Sequence, residues 1–195
     1  MSDRITIIQP GPLSIIGRGI RARLEQVFPP AQFAHVWIPG RIDSRGWARL
    51  TRRTPAIALG FGGFNPAAQS QSIGHSDWFV FLLTKNEAGD EQRLFGDRLA
   101  PGLFGLVEVA VASLHGHGIE DGGTVMLRSA THTFVEDLAD DGLALATLEL
   151  LVPTDIGLAD VLAGGDAEPG TANTQDILWD FATAGTVAGS YTGSP

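Results

Sequence analysis

The chain contains no cysteine, which excludes disulfide bridges and thiolate metal ligands from any account of its stability or chemistry. Charge is scarce as well. Only 18% of the residues are Asp, Glu, Lys or Arg, so much of the surface must be apolar, Gly, Ser or Thr. Such a surface suits a subunit that buries part of itself in an assembly better than a solitary monomer. Beyond Arg128 there is no Lys or Arg. Residues 1–53 hold nine basic and three acidic residues, residues 54–128 four and eight, and residues 129–195 none and eleven, giving +6, −4 and −11. This gradient fits a chain that meets copies of itself head to tail, or unlike partners at its two ends. The simpler alternative is that folding mixes the segments and cancels the gradient. No long apolar run precedes Pro10, so no signal peptide is expected, and no apolar run reaches membrane-spanning length. With a pI of about 4.8, nucleic acid is not expected as the main partner.

What is present suffices for one domain. At 195 residues and 44% hydrophobic content, a core of ordinary size is expected. Residues 12–28 predict an amphipathic helix, with Leu13, Ile16, Ile20, Leu24 and Val27 at helical spacing and Pro29-Pro30 as its stop. Phe33 to Ile38 predicts a short strand closed by Pro39-Gly40. Residues 44–53 predict a short helix capped by Asp43 or Ser44. Pro55 to Phe61 reads as an apolar strand, and the Gly-, Ser- and Gln-rich stretch 62–76 as a long connection, either functional or an extended hairpin tip. Asp77 to Lys85 has the strongest strand pattern; its unbroken apolar run predicts burial on both faces and a central place in the sheet. The segment NEAGDEQ reads as a charged turn. Leu99 to Leu114 predicts a second helix, apolar almost all round and therefore buried. Thr124–Val135 and Leu143–Val152 predict a closing hairpin, with Leu143, Leu145, Thr147, Glu149 and Leu151 on one face of the second strand.

This order predicts an α+β fold with a single mixed, mainly antiparallel sheet of about five strands and two main helices packed on it. Residues 1–160 form that domain. Residues 161–195 read as a linker and extended C-terminal tail, in which Ile177, Leu178, Trp179 and Phe181 make an apolar cluster suited to docking on a groove.

Motifs of chemistry are sparse. His115 and His117 form an H-x-H pair with Glu120 and Asp121 nearby, but they follow a helix in a Gly-rich loop, where a polar loop is the preferred reading over a metal site. His75 and His132 stand alone. Gly60-Phe61-Gly62-Gly63 follows a strand, yet lacks G-x-G-x-x-G and the G-K-[ST] ending of phosphate loops. No catalytic site, cofactor or metal is expected.

The stretch from Thr54 to Asp155, with Arg53 before it, carries a set of packing motifs. They are the R-x-P-led strand (Arg53-Thr54-Pro55-Ala56-Ile57-Ala58-Leu59), the Trp-led strand Trp78-Phe79-Val80-Phe81, and Arg93 after a charged turn. A helix with Gly-Leu-Phe-Gly-Leu (Gly102 to Leu106) ends in Leu114-His115-Gly116, and the closing hairpin ends in Leu151-Val152-Pro153-Thr154-Asp155. In these features the chain resembles a family of small proteins from the tail-gene clusters of Mu-like phages and prophages, which look like tail terminator or tail-completion proteins. The resemblance covers roughly half the chain, and its motifs are packing patterns rather than catalytic signatures. It implies a structural virion protein that forms a ring, commonly hexameric, at the head-proximal end of the tail tube. Such a ring stops tube growth and offers a surface for head joining. Implied partners are the tail tube protein and a head–tail connector or neck protein, in a virion assembled in the host cytoplasm.

Three interface patches are expected. Arg45, Arg49, Arg52 and Arg53 fall within roughly a 100° arc of a helix and would meet an acidic neighbour, unless they are only a solvated face. The Gly62–Ser76 connection, with Phe64 and Ile73, should reach a neighbour or the tube. The Ile177–Phe181 cluster should dock across subunits. The alternatives are another neck or head–tail joining protein, and, in a different class, a small-molecule, metal-binding or enzymatic module centred on His75, His115 and His117.

Overall fold

A computed structural model describes residues 10–39, 50–98, 100–133 and 142–157. The described elements are α1 (Pro12–Val27), β1 (Ala34–Ile38), β2 (Ala56–Pro66), β3 (Ile73–Lys85), α2 (Asp90–Phe95), α3 (Leu103–Leu114), β4 (Gly118–Ile119), β5 (Gly123–Thr124), β6 (Met126–Thr133) and β7 (Leu143–Asp155). Five strands form one sheet in the order β1-β2-β3-β7-β6, and β4 and β5 form a small second sheet. β1 runs parallel to β2, while the remaining pairs are antiparallel. The fold is therefore α+β with a mixed, mainly antiparallel sheet. No described helix is long and apolar enough to cross a membrane.

Strand parity divides the core in two. Trp78, Val80 and Leu82 of β3 and Leu148, Leu150 and Val152 of β7 point to the helix layer, where Ile16, Ile20 and Leu24 of α1 and Leu103, Leu106, Ala110 and Leu114 of α3 cover them. On the other face Ala56, Ala58, Leu83, Leu143 and Leu145 close around Leu50 in a smaller cluster. β3 is central, as its apolar run predicts, and Leu82, Leu83 and Thr84 near its end are buried on both faces. α1 starts with Pro12 in its first turn and ends where the Phe28 N–H bonds to the Leu24 carbonyl. Arg23 Nε donates to the Ser113 carbonyl at 3.1 Å. That carbonyl lies in the last turn of α3, so a cation occupies the negative end of the helix dipole.

Three expectations are corrected, and one pair of alternatives is decided. The charged segment after β3 contains the six-residue helix α2, whose Asp90 and Glu91 stand in the first turn and Arg93 in the last, the arrangement a helix dipole favours. Of the two readings of the 62–76 connection, the structure shows the extended hairpin. β2 runs on to Pro66 and β3 begins at Ile73, with a bulge between Phe61 and Gly63 where the chain passes over the Phe79 ring. The second helix begins at Leu103, because the segment before it is folded against Gly96 rather than wound. It is also not buried all round: Phe104 and Val109 are exposed.

A polar network links β3 to β7 inside the helix-side core. Trp78 Nε1 donates to Ser76 Oγ at 3.0 Å, Ser76 Oγ lies 2.9 Å from Thr154 Oγ1, and Thr154 Oγ1 donates to the Val152 carbonyl at 2.8 Å. Ser76 is fully buried. Ser76→Ala leaves the indole N–H without its acceptor, and should lower the unfolding free energy by about 1–3 kcal/mol. Denaturant unfolding checks this; a midpoint equal to that of the parent protein would show that the network contributes nothing.

Candidate functional site

The described surface holds three features that packing within the chain does not use. The first is on α3. Within Gly102-Leu103-Phe104-Gly105-Leu106, Gly102 is buried against the backbone of Gly96, where no side chain fits, and Leu103 and Leu106 enter the core. Phe104 and Val109 face outward, 42% and 43% exposed, and Phe95 of α2, 70% exposed, meets Phe104 edge to face at 5.2 Å. Gly105, Glu108 and Ala112 are exposed beside them. The apolar excess of this helix is the signal that the sequence carries. Burial within the chain accounts for half of it: one side is core and the other is an apolar stripe facing solvent.

The second feature is the β2–β3 hairpin tip. Its turn is tied down by Ala67 N–H to the Ile73 carbonyl at 2.8 Å and by Ile73 N–H to Ser70 Oγ at 2.9 Å. Ile156 N–H to the Ser72 carbonyl, 2.8 Å, fastens the tip to the chain leaving β7. Ile73 is 54% exposed, whereas Phe64 is half-buried. Below the tip Asn65 Nδ2 donates to Asp77 Oδ2 at 2.6 Å. The other oxygen, Oδ1, lies 3.8 Å from His75 Nε2 and 3.9 Å from Arg128 Nη1 and accepts no hydrogen bond among the described residues. At these distances neither side chain is hydrogen-bonded to that oxygen.

The third feature is a cleft of about 660 Å³ between α1 and the β1–β2 edge. Its floor is Trp37, Phe61 and Trp78, and its helical wall carries Gly17, Arg18 and Arg21. Trp37 is 43% and Phe61 45% exposed. Strand parity puts Val36 and Trp37 on opposite faces, but does not say that the tryptophan side is left uncovered, so sequence reasoning misses this feature.

The expected site residues fare unevenly. Arg45 and Arg49 lie outside the described residues, as do Ile177, Leu178, Trp179 and Phe181. Arg52 and Arg53 are exposed in the turn that follows Leu50 and Thr51. His115 Nδ1 accepts from the Leu127 N–H at 3.2 Å, so one ring nitrogen of the H-x-H pair is engaged with β6. Glu120 and Asp121 are exposed in the β4–β5 turn, and His75 stands on β3 at the hairpin. Among the described residues no group of three His, Asp or Glu side chains converges as metal ligands would. The Glu87 carboxyl is held below its usual range by a hydrogen bond and the charge of Lys85, 2.8 Å away, on an exposed loop.

Comparison with known proteins adds no assignment: no protein-family model and no curated protein matches the chain. Architecture places it as an α+β protein, a five-stranded mixed sheet under a helix layer with a small second sheet.

Proposed function

We propose that this chain is a structural subunit of a phage tail, a terminator that closes into a ring, commonly of six copies in the family it resembles, at the head-proximal end of the tail tube. The observation that carries the reading is the separation of two unlike surfaces. The stripe begins with Phe95 and Phe104 at the Lys85 end of β3, where Thr84 Oγ1 donates to the Pro101 carbonyl at 2.8 Å just before α3, and reaches Val109 in the middle of that helix. The hairpin tip with Ile73 stands at the other end. The thirteen residues of β3, about 40 Å end to end, separate the Phe95–Phe104 end of the stripe from the tip. A closed ring uses a heterologous contact, in which one patch meets a different patch on the next copy. Two dissimilar exposed surfaces at opposite ends of one rigid element suit that geometry. The apolar stripe also has the composition of an interface core, aromatic and poor in charge.

In this reading the ring stops tube polymerisation and presents a face to the connector or neck proteins of the head. Sedimentation velocity or mass photometry at micromolar concentration tests it, with the protein alone and with tail-tube protein added. A ring-sized species in either sample is expected. A strict monomer in both would sink the reading.

A further inference from the structure

The α1–β1 cleft is not needed for a ring contact between the α3 stripe and the hairpin tip, and its chemistry points elsewhere. Gly17 opens it. A Cβ there would lie 2.8 Å from Cη2 of Trp78 and 3.2 Å from Cη2 of Trp37, so the missing side chain lets both indoles reach the helix. The Phe61 and Trp78 rings meet at 5.1 Å, and beside them Trp37 and Phe61 leave an aromatic floor nearly half open to water. The rim is basic. Arg21 is shared between Glu25 at 2.7 Å and the Trp37 ring at 5.5 Å. Arg18 is exposed and has no ion-pair partner among the described residues. A complementary ligand therefore places apolar side chains on the floor and carboxylates beside them on the rim.

One segment of this chain has that composition. Asp176-Ile177-Leu178-Trp179-Asp180-Phe181 combines apolar anchors with acids, and residues 158–195 around it hold five acidic residues and no basic one. The reach also fits. β7 ends with Asp155 paired to Ile73, five positions along β3 from Trp78 on the cleft floor. That offset is about 17 Å at the usual strand rise. The connection from Gly157 to Asp176 is rich in Gly, Ala and Thr, and a chain of that composition and length has a reach of about 25 Å. A tether matched to its span gives the segment an effective concentration on the order of millimolar at the cleft, without help from a second molecule.

We propose that residues 176–181 dock in the α1–β1 cleft of the same chain, with the aromatic anchors on Trp37 and Phe61 and the aspartates facing Arg18 and Arg21. Docking folds the acidic end of the sequence onto its basic end. It is independent of ring formation and holds for a monomer as well.

The absence of cysteine makes disulfide trapping a clean test. Ala22→Cys lies on the exposed cleft wall, and Ala182→Cys sits next to the anchors while altering none of the charges. In the full chain this pair should form an intramolecular disulfide on mild oxidation at least about tenfold faster than a control pair. The control joins Ala182→Cys to Thr131→Cys, exposed on β6. Adding Trp179→Ala and Phe181→Ala should reduce the rate to that of the control. Equal rates for the two pairs would overturn docking. A predominance of disulfide-linked dimers on a non-reducing gel would assign the cleft to the segment of a second copy and overturn the same-chain claim.

Discussion

Replacing Phe104 and Val109 together by aspartate is expected to abolish ring formation while leaving the subunit folded. Both side chains stand on the exposed side of α3, so losing Val109 costs the monomer about 0.5 kcal/mol or less, and losing Phe104 adds the loss of its edge-to-face contact with Phe95, about 0.5–1.5 kcal/mol. In the assembly they would be desolvated at the centre of a contact. Burying two carboxylates without partners there weakens association by about 1,000-fold, since buried central residues are each worth about 2 kcal/mol or more and about 1.4 kcal/mol is a factor of ten. If the chain assembles as proposed, sedimentation velocity should show the monomer at concentrations where the parent protein forms a ring, with cooperative thermal unfolding retained at the lower midpoint that loss of the assembly brings. A ring that survives the double substitution would remove the α3 stripe from the interface.

The second large effect is on folding. Leu148 is fully buried in the middle of β7, opposite Val80 on one side and Ala130 on the other. Leu148→Ala removes its contacts with the helix-side core and leaves a cavity, costing about 3 kcal/mol in a site of this kind. For a domain of this size that is a fall in Tm of roughly 6–12 °C. Leu151, three residues on, faces the other side of the sheet and is only half-buried. Leu151→Ala should cost under half as much. Equal shifts in thermal unfolding for the two variants would contradict the division of the core by strand parity.

That division is legible in the amino-acid order alone, because a period of two in β7 leaves only two ways to face the strand and one of them is more apolar. α1 is legible for a similar reason: Ile16, Ile20 and Leu24 recur at the spacing of one helix face, and Pro12 and Pro29 mark its limits. The hairpin is less so. Gly62, Gly63, Asn65 and Pro66 have poor strand propensity, and they are held extended by pairing with β3, a tertiary effect that local composition does not carry. The parallel pairing of β1 with β2 depends on the path of the chain between them rather than on either strand. The α2 helix is too short for periodicity to reveal. The site is hardest of all. Phe104 and Leu103 are adjacent apolar residues, and only their placement on α3 shows that one belongs to the core and the other to the surface. The charge gradient is partly matched within the fold: Arg21 meets Glu25 on its own helix and Arg23 the end of α3, which leaves Arg18 as the member of the trio open to an acidic partner.

The β3–β7 ladder has a mechanical consequence. The two strands are paired along their whole length, from Ile73 with Asp155 to Lys85 with Leu143. Antiparallel hydrogen bonds lie across the strands, so tension applied between the hairpin tip and the α2–α3 end runs along the covalent backbone of β3, while the rungs to β7 brace that strand along its whole length. A subunit gripped by its neighbours at those two ends would act as a stiff strut, and strain entering the ring at one contact would be handed on to the next with little give in between.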